Sequence, residues 1–151
     1  MAQTMYSAEV GAAVALVAAT AKTVLSVIAP AQFGVDLRKY RIGFDGVTAS
    51  AIPVVVEIVS WTTDGTGTGG TVVQTSGRSI TAGFTTKYNY SVEPTTATLI
   101  DRFTLTPNGG TVIYDFPYGD SPDTAVSNLI GLRCTAPAAV NVNATMWFSR
   151  C

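Results

Sequence analysis

The side chains that most often carry chemistry are thinly spread in this 151-residue chain, and one of them is missing: there is no histidine. Without imidazole, Ser-His-Asp and Cys-His catalysis as usually built are excluded, and so are histidine-containing metal sites. A carboxylate pair for glycoside hydrolysis would have to come from Glu9, Glu57, Glu93 and seven aspartates. Asp115, Asp120 and Asp123 are close in sequence. Asp115, however, falls in a strand pattern, and the other two in a Pro/Gly loop where Asp ordinarily forms turns. These residues point away from an enzyme.

Cys134 and Cys151 are the only cysteines, too few for a disulfide framework and unable to complete a four-ligand zinc site alone. Cys134 shares the parity of Leu132 and is expected to be buried; Cys151 is expected to be exposed, and a disulfide between them stays open. Residues 62–70, TTDGTGTGG, lack the Gly-Lys-Ser/Thr that opens a phosphate-binding helix, and Asp64 is their only carboxylate. They read as a flexible loop. No metal and no cofactor is expected. Trp61, Trp147, Tyr88 and Tyr90 could stack on a sugar if exposed, or fill the second face of a sandwich or a subunit interface.

Nine basic and ten acidic residues give a formal charge of −1, which argues against a nucleic-acid partner, since phosphate neutralisation supplies most of that affinity. The one basic cluster, Arg38, Lys39 and Arg41, reads as a solvated face or an interface. Charged residues make up 13% of the chain, against about 25% in ordinary globular proteins. Much of the surface must then be neutral and Thr-rich, which suits an oligomer or a particle-bound protein. Residues 10–20 are rich in Ala and Val but lack a basic n-region and are too short to span a bilayer. No membrane partner is expected.

The elements that would position these residues are strands. At the end of the chain Val140, Val142, Ala144, Met146 and Phe148 share one parity and Asn141, Asn143, Thr145, Trp147 and Ser149 the other, the signature of a half-buried strand. Before it Leu132 and Cys134 alternate with Arg133, and Pro137 interrupts, so the chain ends in two strands or one broken strand. Tyr40, Ile42 and Phe44 alternate with Lys39, Arg41 and Gly43. Residues 53–61, PVVVEIVSW, are apolar on both parities, as in a strand covered on both sides or meeting a neighbouring subunit. Glu57 within it is expected to be a rim carboxylate pairing with Arg38, Arg41 or Arg133 across the sheet.

Elsewhere residues 14–19 and 22–29 read as a strand pair. A short strand is expected near residues 84–90, and residues 97–105 and 111–116 read as a hairpin turned by Asn108-Gly109-Gly110. The total is about eight to ten strands without βαβ alternation. The fold expected is all-β: an antiparallel sandwich, jelly-roll-like, occupying residues 10–151 as a single domain behind a short N-terminal arm at residues 1–9.

Four segments carry a resemblance: AKTVLSVIAP at 21–30, the Tyr-x-Ile-x-Phe-Asp-Gly strand and turn at 40–46, PVVVEIV at 53–59, and GLRCTAPAAVNVNATMWF at 131–148. Together they resemble small structural proteins of tailed bacteriophages and prophages, across the first third and last seventh of the chain. Residues 62–94 are not matched. The resemblance implies a capsid decoration, or cement, protein on the head surface, reaching it through the host cytoplasm during assembly. Such proteins bind the major capsid protein, often as homotrimers of jelly-roll or sandwich subunits. On that expectation Gln3, Met5 and Tyr6 of the arm contact the capsid, and Asn141, Asn143 and Trp147 form the subunit interface. Two alternatives fit the same residues: a tail- or fibre-associated glycan binder, and a small jelly-roll shell subunit.

Overall fold

Threonine, valine and isoleucine fill the runs between glycines and prolines, and such side chains favour extended backbone. In a computed structural model, which describes residues 3–45, 52–108 and 111–151, they form thirteen strands and no helix. The first half of the chain gives β1 (Met5–Glu9), β2 (Val14–Leu16), β3 (Ala21–Ile28), β4 (Val35–Asp45), β5 (Val54–Thr63), β6 (Thr66–Gly69) and β7 (Val72–Ser76). The second half gives β8 (Thr85–Val92), β9 (Thr95–Leu105), β10 (Thr111–Asp115), β11 (Asp123–Thr124), β12 (Leu129–Thr135) and β13 (Val140–Arg150).

These strands make the expected antiparallel sandwich. One sheet has the order β10-β4-β13-β1-β7, with β11 added on β4 and β2 on β13; the other has the order β6-β8-β3-β12-β5-β9. Between them lies a core in which Leu25, Ile42, Ile58, Leu132, Val142 and Phe148 are fully buried. Four pairs are nested in sequence, β1 with β13, β3 with β12, β4 with β10, and β5 with β9, while β4 with β13 and β5 with β12 cross them. The two closing strands are therefore central, β12 between β3 and β5, and β13 between β4 and β1. At Gly131 the centre of the six-stranded sheet is so tight that a Cβ would collide with the Leu25 carbonyl oxygen.

Four expectations are corrected. Residues 5–9 of the expected arm are not free: β1 is an interior strand between β13 and β7, and residues 1 and 2 lie outside the described residues. Tyr6 and Ala8 alternate with Met5, Ser7 and Glu9, too brief a pattern to stand out in the sequence. Tyr6 is fully buried, stacked at 6.1 Å on Phe148 and edge-on at 5.4 Å to Phe84, so it cannot touch a capsid. Residues 14–19 and 22–29 do not pair, because β2 joins β13 while β3 joins β12 and β8 in the other sheet. Strands β9 and β10 are no hairpin either. β9 lies on β5 and β10 on β4, so the connection between them crosses from sheet to sheet. Its Gly109 and Gly110 lie outside the described residues.

The fourth correction concerns the Gly/Thr-rich stretch, which is structure and not a flexible loop. Only Asp64-Gly65 separates β5 from β6 and only Glu93-Pro94 separates β8 from β9, and the two halves stay paired through the bend. Thr63 faces Thr95, Thr66 faces Val92 and Thr68 faces Tyr88. The result is one long bent ribbon, whose far end brings β8 onto the edge of β3. Glycine is required at the bend, since a Cβ on Gly65 would collide with the Val92 carbonyl oxygen. The Asp64 carboxylate accepts from Lys87 Nζ, from the Gly65 amide at 2.8 Å and from the Tyr90 hydroxyl at 3.0 Å, and so fixes the corner.

Because Tyr6 sits in an aromatic cluster at the centre of the core, Tyr6→Ala should cost about 3–5 kcal/mol. Urea unfolding followed by circular dichroism measures it; a loss under about 1 kcal/mol would mean that β1 is dispensable.

Candidate functional site

Each sheet has one outer face, and the two faces differ in how much the chain has already covered. On β5, Val54, Val56 and Ile58 point into the core, so Glu57, Val59 and Trp61 point outward. Val59, Trp61 and Leu129 are nevertheless buried as a second cluster, with Ile28 packed against them. This explains why residues 53–61 are apolar on both parities. Trp61 is 1% exposed and cannot stack on a sugar, and Tyr90 is 2% exposed, with its hydroxyl 2.6 Å from Ser26 Oγ. Asn89, at φ 50°, breaks the alternation of β8, so that Tyr88 packs on the main core while Tyr90 turns the other way.

Glu57 lies beside that cluster, buried rather than at a rim. The register sets Arg133 of β12 and Arg102 of β9 directly opposite it on either side. Arg133 Nε donates to one carboxylate oxygen at 2.6 Å, and Arg102 donates to the other from Nε at 2.8 Å and from Nη2. Of the expected partners, Arg133 is correct; Arg38 and Arg41 lie in the other sheet. Arg102 is legible only once β9 is known to pair with β5. Burial pushes the Glu57 carboxyl up, but hydrogen bonds from Arg133 and Arg102, then their charges, outweigh it and hold the carboxyl below its ordinary value. With both oxygens engaged, this carboxylate locks strands together and is not poised as an acid or base.

Other reactive groups are similarly muted. Cys134 is buried, and burial, then the Glu57 charge, push its thiol up, which removes the thiolate that reactivity needs. Cys151 is exposed, and both cysteines are free thiols. The Tyr40 hydroxyl is pushed up to about 12 by burial, then by Asp101 and Tyr114. Among the described residues no cluster of three His, Cys, Asp or Glu could hold a metal ion.

The outer face of the seven-stranded sheet is the open one, and it carries the residues singled out at the end of the chain. Cross-strand register arranges it in rows. Asp115, Lys39, Trp147, Ser7 and Val73 form one; Ile113, Arg41, Thr145 and Glu9 form the next; Thr111, Gly43 and Asn143 form a third. Trp147 is half-buried, with Lys39 Nζ over its ring at 5.3 Å and the Arg41 guanidinium at 5.8 Å. Lys39 also pairs with Asp115 at 3.4 Å, and Arg41 donates to Thr145 Oγ1 at 3.1 Å. Because Gly43 has no side chain, a hollow of about 370 Å³ opens over it, walled by Glu9, Arg41, Thr111, Asn143 and Thr145.

Asn141, Asn143 and Trp147 thus share one face as expected, Asn143 exposed and Asn141 half-buried. The cations on Trp147 are what the sequence reading missed. Lys39 and Arg41 were visible as a basic cluster, but only the β4–β13 register places them on the indole. Arg38 turns away, pairing with Asp36 at 3.1 Å and lying over the Tyr118 ring at 5.5 Å. Gln3 is exposed but tethered, its amide donating to Ser149 Oγ at 2.8 Å, and Met5 is half-buried, its carbonyl accepting from Thr75 Oγ1 at 3.2 Å. Comparison with protein-family models, curated proteins and solved structures finds no match for this chain.

Glu57→Gln leaves two guanidinium groups without their counter-charge. The expected loss is about 2 kcal/mol, below the 3–5 kcal/mol typical of fully buried pairs because Arg102 is largely solvated. A carboxyl held below its ordinary value of 4.5 contributes fully above that pH and is lost as pH falls through the lowered folded value. Stability measured from pH 7 down to pH 2 should therefore fall more steeply in the unaltered protein than in Glu57→Gln; parallel curves would contradict the assignment.

Proposed function

We propose that this chain is a non-enzymatic structural subunit, a capsid decoration protein of a tailed bacteriophage, that works by burying its open sheet face. The observation that carries the reading is Trp147, half-buried and flanked by Lys39 and Arg41 on the outer face of the seven-stranded sheet. Tryptophan and arginine are the side chains on which binding energy concentrates in protein interfaces. Here they lie among exposed Ile113 and Val73, with Asn143 beside them, in a chain poor in charge.

The antiparallel sandwich suits a jelly-roll reading, an architecture used by viral capsid and lectin domains alike. The aromatic residues favour the first of these uses. Of the aromatic residues expected to stack on a sugar, Trp61 and Tyr90 are buried, and cations lie over the ring of half-buried Trp147. The glycan-binding alternative is weaker on that ground. Since Tyr6 is core, capsid contact is assigned to outer surface residues and not to a detachable arm.

The test is to mix the purified chain with expanded heads of the parent phage that lack it. Co-sedimentation and a rise in the heads' heat resistance are expected, both reduced at least tenfold in Trp147→Ala with its fold intact by circular dichroism. Heads that ignore the unaltered chain would overturn the capsid assignment. Ligand-dependent quenching of tryptophan fluorescence by a glycan would favour the alternative.

A further inference from the structure

Charges on this protein are few, and nine of the nineteen pair within the chain: Asp36 with Arg38, Lys39 with Asp115, Lys87 with Asp64, and Glu57 with Arg102 and Arg133. Among the charges of the described residues left without an ion pair, Arg41 and Glu9 lie close together on the open face. They flank Thr145 in the same cross-strand row, Arg41 on β4 and Glu9 on β1, and neither meets an opposite charge within the chain. Both are exposed and both wall the hollow over Gly43. Arg41 is already oriented, resting on Trp147 and bonded to Thr145, with guanidinium donors left over for a carboxylate.

Their placement is symmetric about β13, each one strand away, or about 4.8 Å to either side. We infer that the open face binds a second copy of this chain, face to face about a twofold axis running along β13, so that Arg41 of each copy takes Glu9 of the other. The inference rests on the reading of this face as an interface, takes it as the one between subunits, and leaves capsid contact to the rest of the dimer's surface. A twofold along β13 lays β4 over the partner's β1 and β10 over its β7, which is the isologous pattern of the commonest oligomers. Two ion pairs then form at once.

The other rows tolerate the same operation. Lys39 would oppose Ser7, Asp115 would oppose Val73, and Trp147 and Asn143 would oppose their own counterparts, so no like charges meet. Packed sheets stand about 10 Å apart, a gap that an Arg and a Glu reaching from opposite sides can span. The rotation of about 30° usual between stacked sheets moves positions one strand from the axis by only about 2–3 Å. The pairing that follows is a dimer, where the resemblance implies a trimer.

Sedimentation equilibrium of the full chain and its charge variants tests this, with circular dichroism as the check on folding. The unaltered chain should dimerise, and Arg41→Glu and Glu9→Arg should each raise the dissociation constant at least about tenfold. The double variant, with both charges exchanged, should restore dimerisation. Single variants that dissociate without rescue by the double exchange would overturn the Arg41–Glu9 pairing. Single variants that dimerise as before would overturn it too, and dissociation in Trp147→Ala would then leave the face as an interface of other geometry. An unaltered chain that stays monomeric would overturn both the pairing and self-association through this face.

Discussion

The order of the chain imposes the constraint on which everything else depends: β12 and β13, last in order among the thirteen strands, are the central strands of the two sheets. β12 holds β3 and β5, and β13 holds β4 and β1. Neither sheet has a middle until residue 129 onward is present, so most native contacts join distant parts of the sequence. Such topologies close late and fold slowly, because loop entropy is spent before long-range contacts repay it. The nested pairs express the same fact, since β1, β3, β4 and β5 each wait for a partner in the second half of the chain.

That arrangement also determines which surface is left for function. The ribbon formed by β5–β6 and β8–β9 folds back on the six-stranded sheet, and the outer side of that sheet gains its own apolar cluster and the buried Glu57 with its two arginines. The seven-stranded sheet gains only the short β7 at one edge and keeps its broad face open. β13 runs along the middle of that face. The strand that completes the core on one side therefore presents Asn141, Asn143 and Trp147 on the other.

The sequence made the framework legible wherever a period of two was long enough to count. Tyr40, Ile42 and Phe44 gave β4, the alternation from Val140 to Phe148 gave β13, and Glu57 on an apolar strand announced an arginine partner, found in Arg133. What local pattern could not supply was the sheet to which a strand belongs. Asn108-Gly109-Gly110 has ideal hairpin chemistry, yet the flanking strands part because β5 and β4 offer edges in different sheets. Residues 66–69 read as loop because threonine and glycine carry no apolar alternation, although glycine is what lets the ribbon bend. The site was legible by face and not by partner: parity put Trp147 with Asn141 and Asn143, while Lys39 and Arg41 reached it through a register that no local rule predicts.

Native-state hydrogen exchange, read residue by residue, tests the central claim most directly. If β12 and β13 are the axes of the two sheets, their amides exchange only through global unfolding, with the free energy measured by denaturant, while those of the edge strands β6, β7 and β10 open at lower cost. Equal protection across all strands, or early exchange in β12 or β13, would contradict the account.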